Sequence, residues 1–149
     1  MTEPPVHPSL PGPRWEGIAV LDYKPNGSAP FKDVSRQVLI GDETLACELR
    51  YFEIGAGGHS TLERHEHAHG VLVLTGQGAC LVGEEVYRIG VRDLVRIPPW
   101  TWHQFRAAAD SPLGFLCLVN RERDRPVLPD ASDLTALRTR PEVAAFIRV

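Results

Sequence analysis

Between Ser35 and Val119, short runs rich in Val, Ile, Leu, Tyr and Phe recur every 8–12 residues or so, and glycine marks the breaks between them. A chain that reverses so often has no room for long helices. Strands are expected over 35–40, 46–54, 60–65, 71–75, 78–82, 85–89, 94–97, 103–107 and 113–119. This rhythm belongs to an all-β sandwich or barrel. Val82-Gly83-Glu84-Glu85-Val86 reads as a two-residue hairpin with Gly83 at the position that needs positive φ.

The flanks differ in kind. Residues 1–34 form a proline-rich N-terminal segment, with five prolines and one glycine in the first 13 positions, so extended chain is expected there. The stretch 15–23 suits a strand or a short helix, and 24–30 reads as a turn-rich connector. Residues 35–120 carry the barrel. Residues 121–149 read as a C-terminal helical extension packed outside it. Asp130 or Ser132 suits an N-cap there, and Pro141 suits a first helical turn.

A chain of 149 residues fits one domain and buries a core without disulfide staples. Its net charge of -3 argues against nucleic acid or an anionic membrane as partner. The three cysteines, Cys47, Cys80 and Cys117, are odd in number and show no clip spacing. A reduced, cytoplasmic chain is the expectation. The acidic, proline-rich start does not suit a signal peptide, and no apolar run approaches ~18 residues, so no membrane span is expected.

Four of the six histidines lie between His59 and His69. Within His65-Glu66-His67-Ala68-His69, strand alternation would turn His65 and either Glu63 or His67 to one face. Neutral imidazole is the commonest side-chain metal ligand. A site built on one strand would be open on most sides, so a further ligand must come from elsewhere. His103 is the candidate. It follows Pro98-Pro99-Trp100-Thr101-Trp102, and the prolines set the entry angle of the next strand.

Residues 45–120 resemble the cupin family. Its first motif is a glycine, five residues, His-x-His, three or four residues, Glu, six residues and Gly. Its second is Gly, five residues, Pro-x-Gly, two residues, His, three residues and Asn. Without gaps, Gly57 opens the first motif, Glu63 and His65 fall on the histidine pair, His69 falls on the glutamate and Gly76 closes it. In the second motif Pro98 and His103 match, while Arg92 and Trp100 stand where the family has glycine and Ala107 stands where it has asparagine. The resemblance implies a double-stranded β-helix (jelly-roll) barrel and a metal shell of Glu63, His65, His69 and His103, with His67 as the substitute for Glu63 in a gapped alignment. Trp100 and Trp102 would line the substrate mouth or seal a subunit contact.

Three or four N/O ligands with open positions suit one divalent transition metal per chain: Mn or Fe foremost, with Zn, Ni or Co as alternatives. Such a site acts on a small-molecule substrate, most simply a small oxygenated metabolite. Cys117 lies on a late strand, with Phe115 and Val119 sharing its direction. It reads either as a core thiol or as a nucleophile whose thiolate a nearby cation favours. A smaller cupin group that acts on methylthioxylulose phosphate has a similar Pro-Pro-x-x-Trp-His-Gln-Phe motif. That resemblance implies a metal-stabilised enediolate and transfer of a methylthio group to a thiol. Arg50, Arg64, Arg96 and Arg106 are then candidates for the phosphate. An Fe(II) dioxygenase and a non-catalytic sensing barrel are the competing classes. A homodimer is expected, with the proline-rich start and the 15–23 segment crossing to a second subunit to cover exposed edges.

Overall fold

The computed structural model describes residues 3–25 and 27–149. The extended chain expected at Met1-Thr2 and the turn expected at Asn26 lie outside them. A two-strand hairpin, β1 (Ser9–Leu10) and β2 (Arg14–Trp15), precedes the main sheet. That sheet comprises β3 (Leu21–Asp22), β4 (Lys32–Ile40), β5 (Cys47–His59), β6 (His69–Val82), β7 (Glu85–Gly90), β8 (Leu94–Ile97), β9 (His103–Ala107) and β10 (Leu113–Asn120), all paired antiparallel. β5 pairs with β10, and β10 pairs with the first half of β6. The second half of β6 pairs with β9, and β9 returns to β5 through His59 and Arg106. The sheet closes on itself as the expected all-β jelly-roll barrel.

Period-two alternation builds the interior. On β10, Phe115, Cys117 and Val119 are buried while Leu118 is exposed, as the shared direction of those three residues required. They meet Phe52, Ile54, Val71, Val73 and Phe105 in one core. Gly83 takes φ 69° between the paired residues Val82 and Glu85, which is the two-residue hairpin read from sequence.

Two strand assignments change. The stretches 71–75 and 78–82 are one strand, β6. Gly76 between them makes no turn; it takes φ 73°, and there β6 exchanges β10 and β8 for β7 and β9. A Cβ at this position would overlap the Pro112 carbonyl oxygen. The expected strand over 60–65 is also absent. β5 ends at His59, and residues 60–68 form a connection held by isolated bridges, Glu63 to His103 and Arg64 to Val127.

The N-terminal segment packs on its own barrel. Trp15 meets Tyr51 edge-on at 5.5 Å, and Gln37 donates a hydrogen bond to the Pro13 carbonyl. The 15–23 stretch contributes the end of β2 and then β3, which pairs with β4 of the same chain. At the other end, α1 (Ala131–Leu137) is capped by Asp130 in a reciprocal pair with Asp133, and α2 (Pro141–Phe146) opens on Pro141. Leu137, Val143 and Phe146 pack with Leu62 and Leu81 as a second core outside the barrel. No helix among the described residues is long and apolar enough to cross a membrane.

Candidate metal centre

His65, His69 and His103 converge. One nitrogen of each lies within 4.8 Å of the others, and their ring centroids stand 4.9–5.1 Å apart. Three local devices bring them together. His69 is the first residue of β6 and His103 the first of β9. Glu63 and His103 exchange backbone hydrogen bonds of 3.2 and 3.0 Å. The Trp100 N–H donates to the His65 carbonyl at 2.7 Å, tying the Pro98–Trp102 turn to the histidine segment.

The rings are oriented as metal ligands require. His65 Nδ1 lies 2.7 Å from the His67 carbonyl and His103 Nδ1 lies 2.9 Å from the Thr101 carbonyl. Each Nδ1 therefore carries the proton, which leaves Nε2 as a lone pair. His69 Nε2 is buried without a hydrogen-bond partner. Burial holds all three rings below the ordinary imidazole value, His103 down to about 4; for His69 the neighbouring imidazoles add to burial. Neutral rings and an orphaned buried nitrogen fit a divalent cation.

The other two expected ligands are engaged elsewhere. Glu63 lines the same cavity, but its carboxylate is paired with Lys24. His67 stacks on His65 with centroids 3.7 Å apart and planes 2° from parallel, and its Nδ1 bonds Asp124 at 2.6 Å. Asp124 also accepts from the backbone N–H groups of Glu66 and His67. Strand alternation had put His67 or Glu63 beside His65. Residues 65–68 form an irregular bend between the bridge at Glu63 and β6, so that periodicity does not apply.

The histidines open into a cavity of about 270 Å³. Cys117 lines it, with Sγ 3.3 Å from His69 Nδ1 and 3.6 Å from Arg50 Nη2. Burial pushes this thiol up and outweighs the opposing pull of Arg50, so the residues around Cys117 do not by themselves favour a thiolate. Of the four arginines named from sequence, only Arg50 lines the cavity. Arg64 stacks on Trp102, Arg106 donates to the Phe146 carbonyl, and Arg96 is exposed on β8. Sequence reasoning missed Lys24, Arg36 and Arg123, which also line it. The one available signal was that Arg36 lies on β4 at even spacing from Val34. Trp100 and Trp102 border an outer groove with α1 and not the histidine cavity.

Fold and site together define a small barrel protein with a three-histidine centre inside one end. A model of the Cupin domain matches residues 50–119. A 1-methylthio-D-xylulose 5-phosphate methylsulfurylase from Rhodospirillum rubrum is 59% identical over 134 residues, 90% of this chain and 86% of that protein. The crystal structure of a cupin 2 conserved barrel domain protein from Rhodopseudomonas palustris superposes with TM-score 0.92 at 54% identity, covering 97% of this chain and 99% of that one. A cupin-2 domain from Rhodospirillum rubrum gives 0.86 at 56% identity, covering 96% of each. The chain belongs to the cupin family. Its departures from the family's motif glycines fall at positions whose backbone suits glycine. Gly57 and Gly76 have φ 74° and 73°, and the glycine replacements Arg92 and Trp100 have φ 72° and 56°. All four positions are left-handed.

Proposed function

We propose that this chain is a metal-dependent enzyme that removes the methylthio group from 1-methylthio-D-xylulose 5-phosphate or a close analogue and passes it to a thiol. The observation that carries the reading is a buried cysteine beside three free imidazole nitrogens in a cavity bordered by cationic side chains. The 59% identical relative with that activity supports the choice of substrate.

His65, His69 and His103 would hold the metal; three imidazoles suit Fe, Zn or Ni, and Mn where water or Glu63 oxygens complete the shell. When bound, a divalent cation supplies Lewis-acid polarisation of the substrate ketone. The chain's own residues do the rest. Cys117 Sγ attacks the methylthio sulfur, and the C1–S bond breaks with its electron pair passing to C1. The thiol proton is replaced at sulfur by the methylthio group, and C1 gains a proton to become a methyl group. Carbon is reduced, and Cys117 is oxidised to a methyl disulfide. A low-molecular-weight thiol then attacks that disulfide, freeing Cys117 and leaving as the mixed disulfide. Arg50 donates to Sγ and keeps the nucleophile aimed into the cavity. If the unpartnered Nε2 of His69 held the metal, its Nδ1–H would be a second donor to the same sulfur.

Incubation of the Mn(II)-loaded protein with 1-methylthio-D-xylulose 5-phosphate and a small thiol without oxygen tests the proposal. Mass spectrometry should detect a 1-deoxy ketose phosphate and a methylthio disulfide. Cys117→Ser should retain metal and lose turnover. No product from the wild-type protein, or an absolute need for O₂, would defeat the reading, and the second outcome would favour an Fe(II) dioxygenase.

A further inference from the structure

The cationic side chains around the cavity are not equivalent. Lys24 is paired with Glu63. Arg50 and Arg123 both reach Glu48, at 4.0 and 3.5 Å, and Arg50 also serves Cys117. Arg36 differs. Among the described residues it has no carboxylate partner. Its one side-chain hydrogen bond runs from Nε to the Asp22 carbonyl, 3.0 Å away. That bond fixes the stem and leaves both terminal nitrogens for a ligand. Directly opposed residues of an antiparallel pair share a face. Arg36 opposes Phe52, and Phe52 opposes Phe115, so Arg36 faces the barrel interior and lines the same cavity as the histidines.

We propose that Arg36 is the phosphate anchor of this site and sets its preference for a 5-phosphorylated ketose over the free sugar. The inference rests on the reading of the substrate as a ketose phosphate. A guanidinium whose fork is open and whose stem is held fits the two-point geometry of phosphate oxygens. Its place suits the substrate's length. Arg36 on β4 stands two strands from Phe115 on β10, roughly 10 Å at ~4.8 Å per strand, and Phe115 is the inward neighbour of Cys117. A five-carbon chain laid along Phe52 therefore presents its C1 end to Cys117 and the histidines and its C5 end to Arg36.

The test is calorimetric binding of D-xylulose 5-phosphate and of D-xylulose to the Mn(II)-loaded wild type, Arg36→Gln and Arg36→Lys, alongside KM and kcat for the methylthio substrate. Wild type should prefer the phosphorylated sugar. Arg36→Gln should lose about 10- to 100-fold in affinity for it, with D-xylulose binding unchanged. Arg36→Lys, which keeps the charge without the fork, should recover part of the loss. KM should rise in Arg36→Gln with kcat little altered. Unchanged binding of the phosphorylated sugar by Arg36→Gln overturns the proposal, as does equal loss for both sugars or a wild type without preference. Phosphate preference lost with Arg36, in a protein that transfers no methylthio group, upholds this anchor while defeating the proposed reaction. Methylthio transfer with KM unmoved in Arg36→Gln defeats the anchor alone.

Discussion

Lys24→Met probes how the cavity balances its charges. The Lys24–Glu63 pair is largely shielded from water, with side chains 19% and 11% exposed, so solvent screening discounts it little. Removing one partner of such a pair leaves the other charge buried and uncompensated, at a typical cost of about 3–5 kcal/mol. The cavity is open to solvent on one side, which argues for the low end, about 3 kcal/mol. For a chain of this length each kcal/mol is worth roughly 2–4 °C in melting temperature, so metal-free Lys24→Met should melt about 6–12 °C below wild type.

The cost should depend on the metal. Glu63 lines the same cavity as His65, His69 and His103, so a carboxylate released from Lys24 has a cation to face once Mn(II) is added. Calorimetric melting with and without saturating Mn(II) should show the gap between variant and wild type closing by at least half. By linkage, the variant should bind Mn(II) more tightly, with a ceiling near 100-fold for about 3 kcal/mol of coupling. Adding Glu63→Gln to Lys24→Met removes the stranded charge, so the double variant should recover most of the metal-free loss. A gap of the same size with and without Mn(II) would refute the idea that Glu63 is held in reserve by Lys24. A metal-free loss below ~2 °C would refute the burial argument beneath it.

His65→Ala and His103→Ala should lose metal through purification, whereas His67→Ala, which removes the ring stacked on His65 and keeps the backbone carbonyl that His65 Nδ1 bonds, should retain it with affinity weakened about 10- to 100-fold; elemental analysis decides, and full metal in all three would count against the centre. Burial raises Cys80 and Tyr51 each to about 12. Both stay neutral in the folded chain at a pH where the unfolded chain ionises, so the Cys80 contribution is complete below pH ~9 and the Tyr51 contribution below pH ~10, and both are lost as pH rises through ~12. The slope is about 1.4 kcal/mol per pH unit for each group, and urea midpoints at pH 8 and 10.5 should differ accordingly; equal midpoints would contradict it. Arg92→Gly relieves a non-glycine residue at φ 72° and should gain up to ~1 kcal/mol in urea unfolding, a loss of stability being the contrary result.

The parts of this molecule that were legible from sequence are those set by short-range chemistry. The Gly83 hairpin, the Asp130 cap and the Pro141 helix start each follow from a few neighbouring residues, and each is present. The convergence of His65, His69 and His103 was also legible, through motif spacing across two segments. What failed was the assumption that the histidine run lies on a strand. Period-two alternation holds only while a ladder holds the backbone extended. Past His59 the ladder is reduced to isolated bridges, and ring stacking and Asp124 orient His67 instead. Gly76 misled in the opposite sense. Its left-handed backbone reads locally as a turn, yet in a closed barrel it lets one strand change partners. The cationic lining was hidden for a third reason. Lys24, Arg36 and Arg123 come from three distant segments, and only closure of the barrel brings them around one cavity. Cys117 and the three converging histidines could be read along the chain, whereas the charges around the cavity belong to the closed surface.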